Sequence, residues 1–77
     1  MSLLPADYLN IYHAAGSGRK ARDIAAASGV TIHAALIRLT RLEGAGYIRR
    51  NADGLYQQDA PFDPLEVNRL ISHGWTK

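Results

Sequence analysis

Seven of the nine Lys and Arg residues fall between positions 19 and 50: Arg19, Lys20, Arg22, Arg38, Arg41, Arg49 and Arg50. Six of the seven are Arg, whose planar fork of N–H donors suits phosphate oxygens and base edges. Asp23 and Glu43 are the acids in that stretch, leaving it at +5 between ends of −1 and −2. Such a basic middle can bind a polyanion, or it can be an ordinary solvated surface. Where the bases fall on the fold decides between the two.

Other chemistries find less support. His13, His33 and His73 fall on three different expected helices with no metal-ligand spacing, and the chain has no cysteine to join them. Asp7, Asp23, Glu43 and Asp53 form no carboxylate pair for acid–base work; Asp23 or Glu43 is expected to pair with a nearby Arg. Gly16-Ser17-Gly18 lacks the preceding strand and the lysine-serine ending of a phosphate loop. Tyr8, Tyr12, Tyr47 and Tyr56 read as packing residues rather than a base-stacking platform. No catalytic residue, metal site, cofactor or small-molecule ligand is expected, and the chain is not read as an enzyme.

The 77 residues allow one small domain over 1–77, and the apolar share of 47% against 21% charged marks it as globular. A chain of this size buries only about 60% of its unfolded surface, so the core must be economical. The lack of cysteine suits a reducing compartment, and a cytoplasmic location is the expectation. No apolar run reaches the ~18 residues of a membrane span, and Met1–Ala6 is too short for a signal peptide.

Five elements must position the bases. Pro5 can open a first helix through Ala15, with Tyr8, Ile11, Tyr12 and Ala15 as its apolar stripe. After Gly16-Ser17-Gly18, a second helix fits 21–28, with Ala21, Ile24 and Ala25 inward and Gly29 ending it. Thr31 is an N-cap for a third helix over 31–45, closed by Gly46. At about 100° per residue, Ala35, Leu39, Leu42, Ile32 and, at the edge, Leu36 share one apolar face. His33, Ile37, Thr40 and Arg41 face the other way, with Arg38 on a flank.

Two β-compatible runs then surround Asn51-Ala52-Asp53-Gly54, predicting a tight hairpin over 47–58. Asp63, Pro64 and Glu66 start a fourth helix over 63–73 in the manner of a capping box, with Phe62 and Val67 as a hydrophobic staple. The fold expected is mainly α with a small β-hairpin: a three-helix core, a two-stranded wing and an extra C-terminal helix. Val67, Leu70 and Ile71 need burial worth about 1.5–3 kcal/mol each. A homodimer through these three is the expectation, with packing on the first helix the alternative.

Helix-turn-helix followed by a two-stranded wing is a nucleic-acid-binding arrangement. Residues from about Asp7 to Gln58 resemble a bacterial winged helix-turn-helix domain, most nearly that of IclR-type regulators and next that of MarR-type regulators. Asp23-Ile24-Ala25-Ala26-Ala27-Ser28-Gly29-Val30-Thr31 resembles the family's second helix and turn. Leu39-Thr40-Arg41-Leu42-Glu43-Gly44-Ala45-Gly46-Tyr47-Ile48 resembles the end of its recognition helix, and Arg49-Arg50-Asn51-Ala52-Asp53-Gly54-Leu55-Tyr56 its wing. The chain departs from the pattern at Leu36 and Ile37, where these families commonly carry Ser, Thr, His or Arg.

The resemblance implies a transcriptional regulator that binds double-stranded DNA. Its third helix would enter the major groove through Thr31, His33, Ile37, Arg38, Thr40 and Arg41. Arg19, Lys20 and Arg22 at the second helix, and Arg49, Arg50 and Asn51 on the wing, would hold the backbone. Such regulators carry an effector-binding domain after the wing, and here 19 residues follow Gln58. An excised domain, or a regulator with no sensor of its own, is therefore expected. A winged helix that docks a protein through Ile37 and the fourth helix is the alternative.

Overall fold

A stripe of Tyr8, Ile11, Tyr12 and Ala15 runs down the first helix and is buried along its whole length. The computed structural model, which describes residues 5–75, places that helix, α1 (Pro5–Ala15), against most of the other elements. It touches α2 (Ala21–Ser28), α3 (Ile32–Ala45), β2 (Tyr56–Gln58) and α4 (Pro64–Ser72), while β1 (Ile48–Arg50) packs on α3. The protein is thus mainly helical, with a two-stranded antiparallel sheet between the third and fourth helices. Ile24 and Ala25 of α2 and Ala35, Leu39 and Leu42 of α3 complete the helical core, and Tyr47, Ile48, Tyr56 and Val67 seal it. All four tyrosines are buried, as packing residues would be.

Local chemistry sets the helix ends. Gly29 (φ 71°) and Gly46 (φ 92°) take the left-handed conformation that a side chain disfavours. Each lets the following amide reach back into its helix: Val30 N–H to the Ala25 carbonyl and Tyr47 N–H to that of Leu42. Between them, Thr31 Oγ1 accepts from Ala34 N–H at 3.1 Å and starts α3 as an N-cap. Asp63 does the same for α4, accepting from Leu65 N–H at 3.1 Å and Glu66 N–H at 3.3 Å, with Pro64 in the first turn. The Glu66 carboxylate, expected to complete that cap, instead accepts the Tyr47 hydroxyl. Burial first, then the bond to Glu66 and the charges of Glu66 and Asp63, push that hydroxyl well above the ordinary tyrosine range.

α4 finds its burial within the chain. It packs on α1 with Val67 wholly enclosed, Ile71 against the core and Leu70 half-buried. The burial that motivated a dimer through these three is therefore met largely inside the monomer, and Val67 has no surface left to offer a second copy. Phe62 enters the same layer, its ring 5.4 Å from that of Tyr12 and 5.6 Å from that of Tyr47. Beyond the helix Trp75 turns back and stacks on Tyr8, ring centroids 4.7 Å apart. Its Nε1–H donates to the Arg41 carbonyl at 3.1 Å, so one ring ties α1 to α3.

Ile32 is the misplaced core residue: 49% of it is exposed, although its angle on α3 matches Ala35 and Leu39. Angle sets the direction of a side chain, not whether a neighbour stands there. Ile32 lies in the first turn, one turn before the buried stretch begins at Ala35. Leu36, at the edge of the same face, is also exposed. Among the described residues, no helix is long and apolar enough to cross a membrane.

Candidate functional site

The hairpin register pairs Ile48 with Gln58, Arg49 with Gln57 and Arg50 with Tyr56. On the other edge of β2, Arg19 forms an antiparallel bridge with the same Tyr56. Its N–H donates to the Tyr56 carbonyl at 2.9 Å, and the Tyr56 N–H donates back at 2.8 Å. Gln58 N–H donates to the Gly16 carbonyl at 2.9 Å, so the segment between α1 and α2 lies along β2. Residues opposite one another on a ladder project from the same face, so Arg19, Tyr56 and Arg50 form a row across the sheet. Two strand spacings, about 10 Å, separate the outer two backbones.

Arg50 is exposed but held. Its guanidinium lies over the Tyr56 ring, 4.8 Å from the centroid, and Nη2 donates to the Tyr56 hydroxyl at 2.8 Å. The planar cation is thereby oriented, with its other N–H groups available. Arg19, Lys20 and Arg22 are exposed around the start of α2. Lys20 occupies the N-cap position, and its side chain makes no capping bond. The first-turn N–H groups there carry the positive end of the helix dipole beside three cations. Arg49 is also exposed and stands 3.8 Å from Asp59, a surface pair worth little in water. Among the described residues neither Asp23 nor Glu43 pairs with an Arg, and the pairing expected of them is replaced by Arg49–Asp59.

Asn51 shapes the turn of the hairpin. Its Oδ1 accepts from Asp53 N–H at 2.9 Å and Leu55 N–H at 3.1 Å, and its Nδ2 donates to Gln57 Oε1 at 3.1 Å. Both ends of the amide are thus engaged in shaping the turn, an Asx turn that keeps the hairpin tight. Thr31 is engaged likewise as the cap of α3.

Along α3, His33, Leu36, Ile37, Thr40 and Arg41 line an open, mostly apolar depression of about 320 Å³. His33, Ile37 and Thr40 are exposed there, as the angular reading placed them. Arg41 differs, because its guanidinium is not free to point outward. Its Nη1 donates to the Tyr8 hydroxyl at 2.7 Å, drawing the head group back toward α1, and the residue is partly buried. Helical periodicity could not show that a tyrosine hydroxyl lies within its reach. Arg38 also folds back, Nη1 donating to the Ala34 carbonyl at 3.1 Å.

Within the basic stretch 19–50, the exposed cations therefore sit around the start of α2 and on the hairpin, while the outward face of α3 is apolar with polar margins. Sequence reading missed Tyr56 as the residue that joins the two basic groups, and Trp75 as a clamp on α1 and α3. An aromatic residue opposite Arg50 in the hairpin was readable; its pairing with Arg19 was not. His13, His33 and His73 stand on α1, on α3 and just after α4, and among the described residues no three metal-binding side chains gather. Compared with protein-family models, curated proteins and solved structures, the chain matches none of them.

Proposed function

We propose that the chain is a winged helix-turn-helix domain that binds double-stranded DNA and serves transcriptional regulation. In this reading α3 lies in the major groove, the β1–β2 hairpin is the wing, and the start of α2 meets the backbone beside it. The observation that carries the reading is the row Arg19–Tyr56–Arg50. It sets the two ends of the basic stretch on one face of the sheet, about two strand spacings apart. A solvated basic surface has no need of that convergence. A polyanion with regularly spaced phosphates is matched by it.

The exposed apolar side chains of α3 favour a second reading, a winged helix that docks a protein. Leu36 and Ile37 are 38% and 41% exposed and line one depression. Salt separates the two. Titration of a labelled random-sequence duplex at several salt concentrations should give a log–log slope of about −0.9 for each phosphate neutralised. An absence of binding at low salt would remove DNA and leave the protein-docking reading.

A further inference from the structure

The chemistry of the α3 face extends the DNA-binding reading to a base. We infer that this face selects thymine through its C5-methyl group. The inference rests on that reading and concerns what the helix recognises once it is in the groove.

Guanine is read most often by an arginine or lysine fork on its O6 and N7, and cytosine by a carboxylate that accepts from N4. The depression offers no carboxylate, and the arginine forks nearest it are each partly engaged elsewhere. Arg41, the arginine that lines it, has its guanidinium drawn back to the Tyr8 hydroxyl, and Arg38 on the flank is bonded to its own helix at Ala34. No carboxylate lines the depression. What remains is apolar surface from Leu36 and Ile37, with His33 and Thr40 at its margins. Among the four bases in the major groove, thymine alone carries a methyl group, and its neighbouring O4 accepts a hydrogen bond. His33 N–H or the Thr40 hydroxyl can donate to O4 while Ile37 and Leu36 cover the methyl. In that reading the charges that hold the duplex are the exposed bases of the hairpin and of the start of α2, and α3 need not supply them.

Uracil in place of thymine tests this on the DNA side, because it removes the methyl and keeps every hydrogen-bonding group. The protein is titrated at one salt concentration with alternating adenine–thymine duplex and with alternating adenine–uracil duplex of equal length. Loss of each contacted methyl should weaken binding about fourfold, and the gap should close in Ile37→Ala, whose fold is checked by circular dichroism. Equal affinity for the two duplexes, with steep salt dependence retained, overturns the inference and leaves the DNA-binding reading standing. A gap that persists unchanged in both Ile37→Ala and Leu36→Ala overturns it too, since the methyl is then read elsewhere. A gain on methylating cytosines of an alternating guanine–cytosine duplex as large as that from thymine overturns the choice of base. Failure to bind any duplex at low salt overturns the inference and the reading together.

Discussion

Arg19 and Arg50 stand on opposite sides of Tyr56, one bridged to it through the backbone and the other stacked on its ring. If both guanidinium groups meet phosphates, each single alanine substitution should weaken duplex binding about equally on all sequences. Each should flatten the log–log salt slope by about one, and the double variant by about two. The two should differ in stability. Arg50→Ala also loses its contact with the Tyr56 ring, worth about 0.5–1 kcal/mol, whereas the bonds of Arg19 to Tyr56 are made by backbone that alanine retains. Salt titrations of the three variants check this, and unchanged slopes would take the row out of the interface.

Arg41→Ala should act on stability before it acts on recognition. Its guanidinium donates to the Tyr8 hydroxyl, and a bond to a charged group contributes about 1.5–3 kcal/mol. The urea midpoint should therefore fall in Arg41→Ala and recover in part in Arg41→Lys. A midpoint equal to that of the wild type would mean the bond to Tyr8 is not made in solution.

The Tyr47 hydroxyl predicts the behaviour at high pH. Its folded pKa is raised above the unfolded value of about 10 by burial and by Glu66. Below pH 10 both states keep the proton and the contribution to stability is complete. Above it the unfolded chain loses the proton first, so stability falls as pH rises toward the folded value, by at most about 1.4 kcal/mol per pH unit. Tyr47→Phe should be less stable at neutral pH, because Glu66 loses its donor, and should decline less steeply between pH 10 and 11. Parallel denaturant curves across that range decide it; equal slopes would exclude the shift.

Trp75 is the chain's one tryptophan and reports on its own docking. Stacked on Tyr8 and bonded to the Arg41 carbonyl, it ties the segment after α4 to both α1 and α3. Its fluorescence should change in the same urea transition as the helical circular dichroism signal. A fluorescence transition at lower urea would show that this segment opens by itself.

Helices and hairpin were legible in the sequence because their signals are local. Gly29, Thr31, Gly46 and Asp63 each act within one turn, and the glycines and caps stand where the periodicity placed them. The errors have one physical origin. Ile32 points the right way with nothing to meet, Arg41 meets a hydroxyl from α1, and the Glu66 carboxylate meets Tyr47. Each depends on a partner far along the chain, which no helical angle or capping pattern contains. Of the candidate site, the exposed bases of α2 and the hairpin were readable as types and positions. Their meeting at Tyr56 needed the fold.

The Arg19–Tyr56 bridge also bears on the order in which the molecule assembles. β1 and β2 can find each other across a short turn shaped by Asn51, but the bridge closes a loop that contains α2, α3 and the first strand. The entropy of closing such a loop is lost before its two hydrogen bonds return anything, so the bridge forms only once the helices already hold its ends together. The amides of Arg19 and Tyr56 should then open with the whole domain rather than with the fraying of the hairpin, and their exchange with solvent should track global unfolding. The surface that gathers the basic residues is, in this sense, a product of complete folding.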